Sequence, residues 1–347
     1  MSTIEKYPRR CYSVRLGCTE LCEDSDGFGA LPLQRVDFST AGRLLWKALD
    51  AGLSFIDTAR SYSDSEEKIG RCLAHRRYEF GLATKTPARN AADFWKDLET
   101  SLSLLKTDYI DIYQFHNPAF VPRPEDGTGL YEAMLKAMGQ GKVRAIGITS
   151  HRLPFAREAV ESGLYQTLQF PLNYLSTEAE QALVALCVER DVGFIAMKAL
   201  SGGLITDIAL ARAWFGAFPD ALPIWGIQRE SELDALIAAR YANAPLDEAG
   251  LETIERDRGD LAGSFCRGCG YCMPCPEGIE INNCARMSLL LRRSPAERWL
   301  SPAWQQKMAK IAQCRHCGLC ASRCPYGLDT PALLAANYAD YQEFVAL

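Results

Sequence analysis

Short apolar runs alternate with longer amphipathic stretches over the first two thirds of the chain. Eight runs have the length and composition of β-strands: Phe28–Leu31, Ser54–Asp57, Gly81–Thr84, Tyr109–Gln114, Val143–Thr149, Thr167–Phe170, Gly193–Ala196 and Pro223–Gly226. The stretches between them repeat apolar residues at helical spacing, as in Ala91–Leu105, Leu130–Met138 and Thr177–Arg190. Eight β–α units predict an α/β fold whose parallel sheet closes into a (β/α)8, or TIM, barrel. An open doubly wound sheet is the alternative, although no G-x-G-x-x-G follows the first strand.

The last quarter of the chain differs in composition. Nine of the 14 cysteines lie from Cys266 onward. A helical stretch at Asp247–Asp260 precedes them, so we predict a barrel over residues 1–262 and a small α-rich domain over residues 263–347. The first 25 residues contain no apolar leader, and a secreted disulfide scaffold is normally a short chain. The clustered cysteines therefore indicate a metal or cluster site in a cytoplasmic protein.

Charge and hydropathy exclude two classes of partner. The chain has 38 Lys and Arg against 43 Asp and Glu, a net charge of −5, which disfavours binding to nucleic acid. No apolar run approaches the roughly 18 residues that span a bilayer, so we expect no membrane partner.

Four ionisable residues lie at the ends of successive predicted strands, where barrel enzymes carry out their chemistry. Asp57 ends the second strand and Tyr62 follows it, whereas Lys85 and His116 end the third and fourth. A tyrosine has a pKa near 10, which a neighbouring cationic lysine would lower while the aspartate orients that lysine. The tyrosine could then protonate a carbonyl oxygen as hydride arrives, and a neutral histidine could hold the same oxygen.

These strand ends resemble the aldo-keto reductase family. The segment FIDTARSYSDSEEKIG is similar to its D-T-A-x-x-Y-G-x-S-E signature, except that Ser63 replaces the glycine after the tyrosine. The segments LATKT and DYIDIYQFHNP carry the family lysine and histidine. The resemblance covers about residues 8–260 and implies that Asp57, Tyr62, Lys85 and His116 are the catalytic residues.

The same resemblance implies a nicotinamide cofactor, NADP(H) or NAD(H). Three segments are similar to cofactor-binding segments of the family, namely IGITSH, AMKALSGGL and WGIQRESELDALI, and Gln169 matches a family glutamine on the sixth strand. The cofactor contacts that this resemblance implies are Thr149, Ser150, Gln169, Lys198, Gly226 and Arg229. Arg229 is the one basic residue in its segment and has Glu230, Glu232 and Asp234 nearby. A 2′-phosphate would therefore find few partners, although backbone N–H groups at this helix start could take a phosphate.

Two cysteine runs near the carboxyl end have the spacing of iron–sulfur ligands. They are Cys266, Cys269, Cys272 and Cys275, followed by Cys314, Cys317, Cys320 and Cys324. The second run fits C-x2-C-x2-C-x3-C-P, typical of bacterial ferredoxins, in which the fourth cysteine ligates the other cluster. We therefore predict two [4Fe–4S] clusters, with Cys324 completing the first and Cys275 the second. Zinc is the alternative metal. The first run is one residue short before its last cysteine, and Cys284 is a candidate substitute ligand.

The tail is similar to the ferredoxin-type extension found in one branch of aldo-keto reductases. The sequence thus predicts an oxidoreductase that transfers hydride reversibly between a nicotinamide and a small carbonyl or alcohol. Its two clusters would serve electron transfer or structure, and a redox partner protein is a further candidate partner. The alternative is an electron-transfer or redox-sensing protein whose barrel binds a nucleotide or substrate without hydride turnover.

Overall fold

A closed barrel of eight parallel strands forms the first part of the protein. The computed structural model describes residues 10–260, 265–293, 296 and 299–346. An antiparallel hairpin of β1 (Ser13–Arg15) and β2 (Cys22–Asp24) comes first. The barrel strands follow as β3 (Gly27–Gly29), β4 (Phe55–Asp57), β5 (Gly81–Thr86), β6 (Ile110–His116), β7 (Val143–Thr149), β8 (Thr167–Pro171), β9 (Gly193–Met197) and β10 (Ala221–Gly226). They pair in chain order and β10 closes the ring between β9 and β3. The predicted (β/α)8 barrel is confirmed, and the open sheet is excluded.

Helices alternate with these strands. They are α1 (Phe38–Asp50), α2 (Ser65–Leu73), α3 (Ala91–Leu105), α4 (Leu130–Gly139), α5 (Leu153–Glu161), α6 (Glu178–Glu189), α7 (Ile208–Trp214), α8 (Glu230–Ala242) and α9 (Glu248–Asp260). The start of α6 shows how local sequence sets a boundary. The Thr177 hydroxyl accepts a bond from the Glu180 N–H, and the Glu180 carboxylate accepts one from the Thr177 N–H.

Apolar side chains fill the barrel interior. Val14 and Leu16 of the hairpin segment pack in one buried cluster with strand residues Phe55, Ala83, Ile112, Ala145, Ile195, Leu222 and Ile224. Because the interior is filled, the polar residues at the carboxyl ends of the strands are left to form a site there.

The chain divides into two compact units. The first comprises Met1–Ala199 and Ile208–Leu251, and the second comprises Leu200–Asp207 and Glu252–Leu347. The second unit therefore includes the segment after β9 and most of α9. The domain boundary that we predict near residue 262 lies outside the described residues and stays a prediction.

The second unit is helical around its own apolar core. Its further helices are α10 (Ile281–Cys284), α11 (Met287–Arg293), α12 (Pro302–Ala309), α13 (Leu319–Ser322) and α14 (Thr330–Ala346). Trp299, Trp304, Met308 and Tyr341 are buried in this core, and the Tyr341 hydroxyl donates to the Trp299 carbonyl at 2.7 Å. None of the helices in the described ranges is both long and apolar enough to span a membrane.

Candidate active site and cysteine cluster

A buried ion pair lies at the carboxyl end of β4 and β5. Asp57 is the last residue of β4 and pairs in register with Ala83 of β5, two residues before Lys85. Lys85 Nζ lies 2.6 Å from Asp57 Oδ2 and donates to the Thr58 carbonyl at 2.6 Å. The Asp57 and Lys85 side chains are only 3% and 2% exposed. Burial raises the pKa of Asp57 and lowers the pKa of Lys85, and the attraction between the two charges opposes both shifts.

Two buried glutamines hold the other carboxylate oxygen of Asp57. Gln114 Nε2 donates to Asp57 Oδ1 at 3.4 Å and Gln169 Nε2 donates to it at 3.1 Å. The sequence singled out Gln169 but not Gln114. Gln114 lies two residues before His116 on β6, so strand alternation places both on one face. Within the described residues, neither glutamine Oε1 has a hydrogen-bond partner.

Tyr62 and His116 complete the group that the sequence predicts. Lys85 Nζ lies 5.2 Å from the centroid of the Tyr62 ring. The Tyr62 and His116 rings meet edge to face with centroids 5.8 Å apart. Burial, helped by the charge on Lys85, lowers the pKa of His116 to about 3, so its imidazole is neutral near pH 7. The structure therefore brings Asp57, Tyr62, Lys85 and His116 together.

The protonation of Tyr62 corrects one expectation from the sequence. We expected the Lys85 cation to lower the pKa of Tyr62. Burial instead raises the Tyr62 pKa, and the negative charge of Asp57 adds to the rise. Because Asp57 already pairs with Lys85 at 2.6 Å, much of the lysine's charge is offset where Tyr62 would feel it. Tyr62 is therefore a neutral phenol that retains its proton near pH 7.

Ser61 is a site residue that the sequence analysis missed. Its hydroxyl lies 3.1 Å from His116 Nδ1. A hydroxyl at this distance can hold one imidazole nitrogen and leave Nε2 for another contact. The signal in the sequence was weak, because a serine in a loop after a strand is common in turns.

Strand register places the predicted nicotinamide contacts beside this group. His116 pairs with Thr149, and Thr149 pairs with Gln169, so the three follow one another across β6, β7 and β8. The Thr149 hydroxyl accepts a bond from the Asn117 N–H at 2.9 Å. The Ser150 hydroxyl accepts from the Arg152 N–H at 3.0 Å. Gln169 Oε1, like Gln114 Oε1, is thus a buried acceptor with no partner among the described residues.

The remaining predicted cofactor residues lie at the ends of β9 and β10. Lys198 directly follows β9 in a left-handed conformation, with φ of 60°, and its carbonyl accepts from Asn173 Nδ2 at 2.9 Å. Gly226 ends β10, where it pairs with Gly29 of β3. A side chain at Gly226 would meet the ring of Pro32 at 3.3 Å, so the strand end leaves little room there.

A carboxylate covers the start of α8, where the sequence predicts a phosphate contact. Glu232 Oε2 accepts from the backbone N–H groups of Gln228 and Arg229 at 2.9 and 3.1 Å. Glu232 Oε1 accepts from Arg229 Nε at 2.9 Å and from its Nη2 at 2.5 Å. The one basic side chain of this segment and its free backbone donors therefore already have an anionic partner. The residues fit a nicotinamide amide at Gln169 better than a 2′-phosphate at Arg229.

Both cysteine runs lie in the second unit. A cleft of about 640 Å³, including its part open to solvent, is lined by Cys272, Cys275, Cys314, Cys317 and Cys320 among other residues. Cys317 is exposed, whereas Cys266 and Cys272 are about nine-tenths buried. Five thiols around one cleft form a donor set that suits iron.

Cys284 is fully buried in the apolar core of the second unit. Burial, together with the charge of Glu280, raises the pKa of its thiol to about 12. Among the described residues, no three His, Cys, Asp or Glu side chains lie close enough to hold a single metal ion. The choice of clusters over zinc therefore rests on the cysteine spacing and on comparison with known families.

Family models match both parts of the chain. Residues 27–213 match the model of the aldo/keto reductase family, and residues 265–329 match that of the 4Fe-4S dicluster domain. The first match covers more than half of the chain, so the chain belongs to the aldo/keto reductase family. It carries a helical iron–sulfur domain at its C-terminal end. Both resemblances noted in the sequence are confirmed.

Similar proteins agree with this membership. The aldo-keto reductase YhdN of Bacillus subtilis is 31% identical over 185 residues, which are 49% of this chain and 55% of YhdN. Methylglyoxal reductase DkgA of Yersinia pestis is 32% identical over 126 residues, 35% of this chain and 44% of DkgA. The chain thus spans about half the length of these two relatives.

Solved structures show the same fold. An aldo-keto reductase from Bacillus halodurans in its holo form superposes with a TM-score of 0.62 at 23% identity, covering 71% of this chain and 95% of that one. An aldo/keto reductase from Klebsiella pneumoniae in complex with NADP and acetate gives a TM-score of 0.61 at 24% identity, covering 71% and 94%.

Proposed function

We propose that this protein reduces a small carbonyl compound with a nicotinamide cofactor, and that it carries two [4Fe–4S] clusters. The observation that carries the proposal is the placement of Tyr62 against both Lys85 and His116, with Lys85 fixed by Asp57. These four side chains come from three segments of the chain, because Asp57 and Tyr62 share β4 and its following loop whereas Lys85 and His116 end β5 and β6. Their convergence at the carboxyl end of the barrel supports a catalytic role.

Each residue has a definite task in this proposal. When bound, the nicotinamide supplies the hydride. Tyr62 gives its hydroxyl proton to the carbonyl oxygen, and the neutral imidazole of His116 holds that oxygen. Lys85 stabilises the negative charge left on Tyr62, and Asp57 keeps Lys85 in place. Gln169 Oε1, buried without a partner among the described residues, would accept a hydrogen bond from the cofactor's amide group.

We assign the cluster ligands by the crossing pattern of two-cluster ferredoxins. The first cluster takes Cys266, Cys269, Cys272 and Cys324. The second takes Cys314, Cys317, Cys320 and Cys275. All four cysteines of the second set line the cleft in the second unit, which Cys272 of the first set lines as well. Cys284 has no ligand role in this assignment.

Turnover by an anaerobically prepared protein tests the proposal. NADPH and NADH oxidation is measured against a panel of aldehydes and ketones, and iron and sulfide are determined on the same sample. Tyr62→Phe should lower turnover at least about 100-fold and keep nucleotide affinity. Tyr113→Phe is the matched control, because the Tyr113 ring packs on Phe94 of α3, with centroids 5.5 Å apart. Full activity of Tyr62→Phe would reject the assignment of the proton donor.

A second candidate is an electron-transfer or redox-sensing protein without hydride turnover. The carboxylate of Glu232 favours it, because this group competes with a cofactor phosphate at Arg229. In that case no carbonyl would be reduced at the expense of NADPH or NADH, although the clusters would still titrate.

A further inference from the structure

Two near-identical cysteine loops differ at one position. The first is Cys266–Cys269 with the sequence CRGC, and the second is Cys314–Cys317 with the sequence CRHC. The third residue of each loop is left-handed, with φ of 62° at Gly268 and 51° at His316. The second residue is arginine in both and does not distinguish the loops. A left-handed backbone alone therefore does not explain why the first loop has glycine, since histidine adopts the same conformation in the second.

The space at Gly268 is used by Arg286. A Cβ atom added at Gly268 would lie 2.6 Å from Arg286 Cζ, far inside van der Waals contact. Arg286 is buried, with only 7% of the residue exposed. Its guanidinium thus lies directly against the peptide between Cys266 and Cys269. At His316 the Cβ atom fills the equivalent space, so the second loop does not offer this approach.

A second backbone segment fixes the same guanidinium. Arg286 Nη2 donates to the Gly202 carbonyl at 3.0 Å, and a Cβ atom added at Gly202 would lie 2.9 Å from Nη1. Gly202 belongs to Leu200–Asp207, which is part of the second compact unit. The guanidinium is therefore held between two glycine backbones, one of them inside a cysteine loop.

We propose that Arg286 makes the two clusters unequal by raising the reduction potential of the first one. The inference rests on the two clusters of the proposed function. A reduced cluster carries one more negative charge than an oxidised one, and a nearby cation stabilises that charge. The first cluster has two buried ligands, Cys266 and Cys272, whereas the second has one, Cys320, and the exposed Cys317. Burial would therefore lower the potential of the first cluster relative to the second. Arg286 opposes this effect of burial.

An anaerobic redox titration followed by electron paramagnetic resonance tests the proposal on the full chain. The signal that is lost in Cys275→Ala identifies the second cluster. In Arg286→Gln we expect the equilibrium constant for reducing the first cluster to fall about tenfold, which is 59 mV for one electron. The equilibrium constant for reducing the second cluster should change by less than about twofold. Arg286→Lys keeps the cation and should recover most of the potential.

Arg292→Gln is the matched control, because Arg292 pairs with Asp340 at the surface of the same unit. It should move neither potential. Gly202→Ala is a second route if Arg286→Gln fails to assemble its clusters. This substitution keeps the arginine but displaces its guanidinium. It should therefore lower the reduction potential of the first cluster and leave that of the second unchanged.

Three outcomes overturn the inference. They are equal shifts of both clusters in Arg286→Gln, no shift in either, and no recovery in Arg286→Lys. With about eight irons per chain, such results would leave the proposed function standing. Protein without iron and sulfide after anaerobic preparation would reject the proposed clusters and this inference with them.

Discussion

Replacing Glu232 by glutamine should change how the protein selects its nucleotide. The Glu232 carboxylate binds the Arg229 side chain and the first backbone N–H groups of the α8 region. Any phosphate that approaches Arg229 must displace this carboxylate and meet its negative charge. Glutamine keeps an acceptor for the helix cap and removes the charge, so α8 should still start at the same residue.

The size of the effect follows from the exposure of the pair. The Arg229 and Glu232 side chains are 57% and 21% exposed. An exposed ion pair of this kind contributes about 0.2–1 kcal/mol. Repulsion between two unit charges near 4 Å adds about 1 kcal/mol in water. Glu232→Gln removes both the ion pair that the phosphate must break and the repulsion that it must overcome. It should therefore strengthen binding of a 2′-phosphate by about 1.4 kcal/mol, or tenfold in affinity.

Fluorescence titration with NADPH and NADH measures this change. We expect the unmodified protein to prefer NADPH within about tenfold, and Glu232→Gln to raise NADPH affinity about tenfold with NADH changed less than about twofold. Glu230→Gln is the control. Glu230 lies on the same turn of α8 as Glu232 but pairs with Arg43 of α1 at 2.8 Å. An equal gain for both nucleotides, or the same gain in Glu230→Gln, would show that Arg229 does not face a 2′-phosphate.

Three further predictions concern the Asp57–Lys85 pair, the cysteines and His116. Asp57→Asn leaves the Lys85 charge unpaired and should destabilise the barrel by about 3–5 kcal/mol in urea unfolding, whereas adding Lys85→Met should restore part of the loss. A loss below about 1 kcal/mol would contradict a buried, charged pair. Cys275→Ala should lose about four of about eight irons and Cys284→Ala none, and the reverse result would exchange their roles. With the His116 pKa at about 3 and a neutral tyrosine, carbonyl reduction should vary less than about twofold between pH 5 and 8. A fall on acidification through pH 6.5 would show that His116 titrates as an exposed histidine does.

The barrel could be predicted almost completely from the sequence. All eight predicted strands are present, because strands buried on both faces appear as short apolar runs between amphipathic helices. The helix predicted over Ala91–Leu105 has the observed bounds of α3. The strand predicted at Pro223–Gly226 begins at Ala221 instead, since apolar Ala221 and Leu222 extend the pairing with β9.

The partners of the site residues could not be predicted in the same way. Gln114 reaches Asp57 only because β4 and β6 lie near one another in a closed barrel. Glu232 reaches Arg229 through a helix start whose geometry a charge count does not contain. Arg286 lies against Gly268 because of how the second unit folds, which the cysteine spacing does not predict. Periodicity indicates which side chains are buried, whereas the contacts of Gln114 and Arg286 depend on which buried segments meet.

The direction of the pKa shift at Tyr62 gives the protonation state from which the proposed reaction starts. Carbonyl reduction ends with a proton moving from Tyr62 to an alkoxide, whose conjugate acid, an alcohol, is a weaker acid than an ordinary phenol. Tyr62 meets this need as a neutral phenol, and the raised pKa keeps it neutral across the physiological range. Alcohol oxidation needs the phenolate, which burial and the charge of Asp57 both disfavour. Near neutral pH the four side chains therefore start in the protonation state that carbonyl reduction needs, whereas the rate of alcohol oxidation should increase as the pH rises.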